Sequence, residues 1–338
     1  MILIDTNSGA DKGVKYHDAD KFSLQDVHMA AVVKIGTRGS PLALAQAHET
    51  RDRLAVAHDH LTADGAIEIV VMRTTGDRIQ SGPLSEAGGK GLFTKEIEDA
   101  LLDGSIDIAV HSMKDVPTEL PDGLIIECIL PREDPRDALL TTGAASLAEL
   151  PTGAVVGTAS LRRKAIILNR RPDLKIITFR GNVDTRIRKL ADGEADATLL
   201  GYAGLRRLGR AEQATAILAP EEMLPAVCQG AIGIECRVDD DNARAMLVAI
   251  HHAPSGLRAN AERALLSGLD GSCRTPIAAL AEIEGDTLSL RALIARTDGS
   301  EMLETARSGP VADGIALGMD AADELKGRGG SDFFDATE

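Results

Sequence analysis

Several side chains able to hold an anion stand where an apolar run gives way to a helix-starting pattern. Arg38 and Ser40 follow the run 31–35, Arg162 and Arg163 follow 154–157, Arg180 follows 174–179, and Arg186 sits in the helical stretch after it. The free amides and dipole of a helix N-terminus already favour negative charge, and arginine adds a planar fork matched to carboxylate or phosphate. The chemistry this predicts is a cleft that binds a polycarboxylate or a polyphosphate. His111-Ser112-Met113-Lys114-Asp115 closes another apolar run, 106–110. A carboxylate among cations stays ionised and can steady a cationic intermediate; taken alone, Asp115 also fits a turn or a salt bridge, and His111 a packed core histidine. Cys273 lies between Ser272 and Arg274 in a loop of small residues, where neighbouring positive charge lowers a thiol pKa and makes a better nucleophile. Gly88-Gly89-Lys90-Gly91 lacks the Ser or Thr that must follow the lysine of a nucleotide-binding Walker loop, so it reads as a glycine hinge carrying Lys90 toward the cleft.

These residues need elements to place them, and the pattern supplies two series of alternating strands and helices. Strands are predicted at 31–35, 67–72, 106–110 and 124–130, then at 154–157, 174–179 and 197–200. Helices are predicted at 41–58, 92–102, 161–171, 183–191 and 203–208. Ser40 before Pro41 forms an N-cap with proline at the first helical position. Alternation of this kind implies right-handed βαβ units with mainly parallel sheets, whose ligands bind beyond the carboxyl ends of the strands. After residue 256 one helix (259–269) leads through the Cys273 loop into two alternating stretches, 277–283 and 287–295, which predict a small α+β domain with an antiparallel sheet. The Gly-rich, acidic end from Gly327 is predicted to fray. No repeat of fixed period is visible.

The 338 residues are 44% apolar and 26% charged, enough for two or three domains. The formal charge of −15 and an aromatic content of 2% without Trp exclude a general nucleic-acid binder. Yet residues 162–210 hold thirteen Lys/Arg against five Asp/Glu, a basic segment within an acidic chain. Arg170, Arg188 and Lys189 fit a solvated face. The cysteines Cys128, Cys228, Cys236 and Cys273 form no C-x-x-C pair, which suits reduced thiols in a cytosol. Cys128 and Cys236 lie in strand-like apolar runs and read as core, while Cys228 can place a second thiol near the cleft. No apolar run approaches the roughly 20 residues needed to span a bilayer, and residues 1–30 carry no Arg and five Asp, unlike a transit peptide. The expected setting is cytoplasmic.

Together, T-R-G-S-P-L-A-L-A-Q (37–46), G-G-K-G-L-F-T-K-E (88–96), D-I-A-V-H-S-M-K-D-V-P (107–117), P-R-E-D-P-R-D-A (131–138), V-G-T-A-S-L-R-R (156–163), F-R-G-N-V-D-T-R (179–186), A-G-L-R-R-L-G (203–209), L-P-A-V-C-Q-G (224–230) and G-S-C-R-T-P-I (271–277) resemble the porphobilinogen deaminase, or hydroxymethylbilane synthase, family. The resemblance covers about 34–295; residues 1–30 lie outside it, and Glu86 stands where some relatives carry Lys.

It implies an α/β fold of three domains. Two would be lobes like those of type II periplasmic binding proteins, 31–131 with 229–250 and the Arg-rich 132–228. The third would be a small α+β domain, 251–326, with a disordered extension at 1–30 and a flexible tail at 327–338. It implies head-to-tail condensation of four porphobilinogen molecules with loss of ammonia, on a dipyrromethane cofactor bound through a thioether to Cys273. Asp115 would be the catalytic carboxylate, stabilising a cationic azafulvene. Lys114, Ser160, Arg162, Arg163, Arg180, Gly181 and Arg186 would hold the cofactor. Arg38, Ser40, Gln46, Lys90, Phe93, Arg207 and Gln229 would hold substrate. The expected partner is porphobilinogen alone, with no metal, nucleic acid or membrane, and the expected state is a monomer. The competing reading is a non-catalytic two-lobed binder of a polycarboxylate, which leaves Cys273 without a role.

Overall fold

The computed structural model describes residues 32–78, 93–271, 275–330 and 333, and in these the chain forms three sheets. It opens with β1 (Val33–Arg38), α1 (Pro41–Ala57), β2 (Ile67–Met72), α2 (Thr75–Arg78), α3 (Lys95–Leu102), β3 (Ile108–Ser112) and β4 (Leu124–Ile129). A second lobe follows: β5 (Asp137–Thr141), β6 (Val155–Gly157), α4 (Leu161–Arg170), β7 (Lys175–Ile177), α5 (Val183–Ala191), β8 (Ala197–Gly201), α6 (Tyr202–Arg207) and β9 (Ala216–Ile217). The chain then returns to the first sheet as β10 (Ile232–Arg237), followed by α7 (Asp241–Val248).

The first sheet has strand order β2-β1-β3-β10-β4 and the second β7-β6-β8-β5-β9. In each, four strands run the same way and the strand made by crossing between lobes is antiparallel to its neighbours: β10 against β3 and β4, β5 against β8 and β9. One topology is used twice, an α/β architecture of two lobes to which a smaller C-terminal domain is added. Sequence pattern does not reveal the antiparallel strands, because β5 and β10 are apolar runs buried on both faces and carry no sign of direction.

The C-terminal domain contains α8 (Ala253–Gly268), β11 (Ile277–Glu284), β12 (Thr287–Ala295), β13 (Met302–Pro310) and α9 (Gly314–Gly329). Its antiparallel sheet alternates faces with the period of 2 that a strand imposes. Ala278, Leu280, Leu293 and Ala295 complete the core of the second lobe. Ala279, Ala281, Leu290 and Ala292 pack with α8 and α9 in a core that also takes Met113 and Val116 from the first lobe. One small sheet therefore touches both lobes.

Three boundaries differ from expectation. β1 continues to Arg38, paired with Met72, so the turn before α1 is only Gly39–Ser40. α8 begins at Ala253 because Pro254 is taken into its first turn instead of stopping the chain. α9 runs through Gly329 and Phe333 is buried beneath the Arg296 guanidinium, 4.9 Å from the ring centroid, so Gly327 does not begin a loose tail.

Candidate active site

The chemistry-bearing residues gather at the carboxyl ends of the parallel strands. After β1, Ser40 caps α1 by accepting from the Ala43 N–H at 3.2 Å. After β6, Ser160 caps α4 and accepts from the Arg163 N–H at 3.4 Å. After β7, Asn182 caps α5, accepting from Thr185 N–H at 2.9 Å. Gly181 precedes that cap with φ +115°, and a Cβ there would lie 2.6 Å from the Thr185 side chain, so only glycine makes this corner. Its carbonyl accepts from Arg186 Nε at 3.0 Å, which holds the arginine over the helix N-terminus. After β3, Met113–Asp115 forms a single 3₁₀ turn that presents Lys114 and Asp115.

Asp137, the first residue of β5, lies fully buried beneath this array. It accepts from Arg163 Nη2 at 2.7 Å and from Gln229 Nε2 at 2.9 Å, and pairs with Arg162 Nη2 at 2.8 Å. Burial alone would raise its carboxyl, but Arg162 and Arg163, with the hydrogen bonds from Arg163 and Gln229, hold it well below the usual carboxylate range. Arg162 and Arg163 are each 4% exposed and also donate to the Leu224 and Leu199 carbonyls. Each keeps a buried Nε–H without a hydrogen-bond partner.

The cleft side of this anchor is dominated by positive charge. Burial pulls the Lys114 ammonium below its ordinary range; Asp115 opposes the shift, whereas Arg163 and Arg186 from the other lobe add to it. Burial likewise brings Arg186 down to about 10, with Arg163 and Arg180 pushing in the same direction and Asp115 opposing. Residues of both lobes thus lie within electrostatic reach of one another. Lys114, Arg163, Arg180 and Arg186 share the space with two carboxylates, of which Asp137 is already engaged. Desolvated cations in excess, together with the unsatisfied Arg163 Nε–H, suit a ligand bearing several carboxylates.

Three of the expected residues engage partners within the protein. Arg162 is as buried as Arg163, pairs with the same Asp137 carboxylate and donates to the Leu224 carbonyl. Gln229 is 2% exposed, with its amide donating to Asp137 and to the Pro135 carbonyl, so it braces the anchor. Arg207 pairs with Glu49 and donates to the Gly230 carbonyl, both at 3.1 Å, on a groove it shares with His48, His251 and His252. Gln46 is buried and accepts from Ser112 Oγ at 2.9 Å, tying α1 to the end of β3. Arg38 lies 4.2 Å over the Phe93 ring centroid, a cation–π contact that places both beside α1. His111 is buried, its Nε2 2.9 Å from Glu235 Oε2, in keeping with a core histidine. Lys90, Glu86, Cys273 and residues 1–30 lie outside the described residues.

Burial disfavours the thiolate at the other three cysteines. Burial pushes Cys128 up to about 12, Cys228 up to about 12 with Glu262 adding to it, and Cys236 up to about 11. Cys228 sits at φ +57° with its Sγ 3.7 Å from the Ala259 carbonyl, packed against α8 and not offered to the cleft. Among the described residues no three His, Cys, Asp or Glu side chains are placed to share a metal ion, and no helix is long and apolar enough to cross a membrane.

Sequence reasoning missed Asp137, although the acidic residue opening the apolar run Asp137-Ala138-Leu139-Leu140 was a visible signal. It also missed Glu262 and Arg263 on α8, which nothing local marks.

Comparison with known proteins matches residues 33–245 to the family model "Porphobilinogen deaminase, dipyromethane cofactor binding domain" and residues 256–327 to "Porphobilinogen deaminase, C-terminal domain". A porphobilinogen deaminase of Paracoccus denitrificans is 61% identical over 303 residues, 90% of this chain and 96% of that protein. A chloroplastic porphobilinogen deaminase of Oryza sativa subsp. japonica is 58% identical over 311 residues, covering 91% of this chain and 87% of its own length. Among solved structures, a periplasmic substrate-binding protein of an ABC transporter from Coxiella burnetii covers 69% of this chain and 97% of its own at 16% identity, with a TM-score of 0.38.

Proposed function

The chain belongs to the porphobilinogen deaminase family, and on that premise we propose that it condenses four porphobilinogen molecules head to tail, releasing ammonia at each step, and that one water then cleaves the finished tetrapyrrole from its attachment and supplies the hydroxyl of hydroxymethylbilane. The observation that carries this reading is the pairing of one cleft carboxylate, Asp115, with a surplus of desolvated cations, Lys114, Arg163 and Arg186. Every porphobilinogen brings an acetate and a propionate, so the growing product gathers negative charge that such a surplus neutralises.

The residues present fit a dipyrromethane: Lys114, Ser160, Arg163, Arg180 and Arg186 would hold its carboxylates, and the thiol of Cys273 would bind it. When bound, that group supplies the pyrrole carbon from which the chain is extended. The protein's own residues do the rest. The Asp115 carboxylate, beside Lys114, accepts from the substrate pyrrole N–H and balances the positive charge left on the substrate as its C–N bond breaks and ammonia departs. Once the new C–C bond forms, the same carboxylate stabilises the cation until the proton on the joined carbon is lost. Asp137, itself held by Arg162 and Gln229, anchors Arg163, so this part of the cationic wall is in place before substrate arrives.

The intact mass of the purified chain tests the assignment. A covalent increment equal to one dipyrromethane is expected, lost in Cys273→Ser; an active chain of unmodified mass overturns it. Asp115→Ala is expected to keep the increment and lose nearly all turnover.

A further inference from the structure

Arg263 lies on α8, one residue after Glu262, and its guanidinium is spent on the backbone that follows Asp115. Nη2 donates to the Pro117 carbonyl at 2.7 Å and to the Thr118 carbonyl at 3.3 Å, and Nη1 donates to the Val116 carbonyl at 3.3 Å. These three carbonyls lie beyond the end of β3, where no sheet partner satisfies them, and Pro117 offers no N–H for a ladder. Upstream, the turn is held by the Met113 N–H to the Ala231 carbonyl at 3.0 Å and by the burial of Met113 and Val116 against α8. Arg263 supplies the polar grip on the other side.

We infer that Arg263 is a positioning residue for Asp115: by holding the carbonyls of Val116, Pro117 and Thr118 from the C-terminal domain, it fixes the 3₁₀ turn that aims the carboxylate into the cleft. The planar fork of a guanidinium spans adjacent carbonyls in a way that a lysine ammonium does not. The same turn of α8 carries Glu262, which grips both segments joining the lobes, and the helix then leads through 269–271 to the Cys273 loop. One helix thereby holds the turn that carries Asp115 and both crossing segments in a common frame. The inference rests on the reading of Asp115 as the catalytic carboxylate.

The test uses the cofactor-loaded chain, with loading checked by intact mass. Arg263→Met is expected to lower kcat about 10- to 100-fold, the scale on which misplacing a catalytic group acts, with KM for porphobilinogen changed by less than about threefold. Arg263→Lys, which keeps the charge and one donor, is expected to recover part of that loss, and it carries the comparison if Arg263→Met does not fold. Amide hydrogen exchange over 113–119 is expected to quicken in both variants while the β10 core stays protected. Combined with Asp115→Glu, the loss is expected to fall well short of the product of the two single losses, because both act on one group. An unchanged kcat in folded, loaded Arg263→Met, or losses that multiply in full, overturns the inference. If Asp115→Glu alone leaves kcat unchanged, the reading of Asp115 fails first and takes the inference with it, and the exchange data then report the clamp alone.

Discussion

Arg132 and Glu262 form a buried two-point ion pair, Nη1 to Oε1 at 2.6 Å and Nη2 to Oε2 at 3.2 Å, with side-chain exposures of 3% and 0%. Arg132 lies in the segment that leaves the first lobe, and its Nε also donates to the Gln229 carbonyl in the returning segment at 2.9 Å. Glu262 accepts as well from the Cys228 N–H at 2.6 Å and the Ala281 N–H at 2.8 Å. One carboxylate of the C-terminal domain therefore ties together both crossing segments and β11. Burial by itself would lower the Arg132 guanidinium, and Glu262 more than reverses that.

Glu262→Gln leaves Arg132 charged and unpaired in a dry site, so the expected cost is about 3–5 kcal/mol of folding stability. Urea unfolding of the folded variant checks this. A cost below about 1 kcal/mol would mean that the arginine finds another partner and that the pair does not hold the hinge.

The strand ends and helix caps were legible in the sequence because they are local events. Ser40-Pro41 and Ser160 mark their helices with residues that act within three positions, and α5 begins and ends where its pattern says. The concentration of arginine at these corners was legible in the same way. What could not be read is which way a side chain turns once the lobes assemble. Arg162 and Arg163 are neighbours at the start of a helix, yet both turn inward onto the one carboxylate of Asp137. Glu262, Arg263 and Asp137 act across 19 to 147 residues of chain, and long-range pairing leaves no periodic trace. The lobes repeat a topology without repeating a sequence, because burial on both faces asks only for apolar residues.

Asp137 gives the anchor a pH signature with a defined sign. Its folded carboxyl is held below the ordinary range, so the stability it contributes is fully present above the unfolded value near 3.9 and is lost as the pH falls through the lower folded value. Asp137→Asn is expected to cost about 3–5 kcal/mol at neutral pH, by leaving Arg162 and Arg163 buried without a counter-charge. The gap between the parent chain and the variant should narrow below about pH 4. Guanidinium unfolding at the two pH values measures it, and a gap that stays constant would show that Asp137 is not ionised in the folded chain.

The thiols predict a labelling pattern. With Cys128, Cys228 and Cys236 pushed up to about 12, 12 and 11, none offers appreciable thiolate at about pH 8. A loaded native chain is expected to react with no equivalent of a thiol-specific disulfide reagent, and the unfolded chain with three. Removing the dipyrromethane should expose one fast thiol, at Cys273. One fast thiol in a fully loaded chain would place the attachment elsewhere.

Gly233 of β10 faces the turn that carries Asp115. A Cβ built there would lie 2.1 Å from Met113 Sδ and 3.2 Å from Ile126 Cγ2, so alanine must displace Met113, the first residue of the 3₁₀ turn. Met113 is 2% exposed and packed against α8, which leaves it no open direction to retreat. Gly233→Ala is expected to cost about 1–3 kcal/mol through overpacking and to lower turnover beyond what that loss alone explains. Ile250→Val, a change of about 0.5–1.5 kcal/mol in the first-lobe core, provides the comparison because it leaves the turn untouched. Turnover measured on both folded, loaded variants separates the effects: a selective loss in Gly233→Ala ties catalysis to the seat of Met113. Equal turnover in the two would mean that Asp115 keeps its aim while Met113 moves.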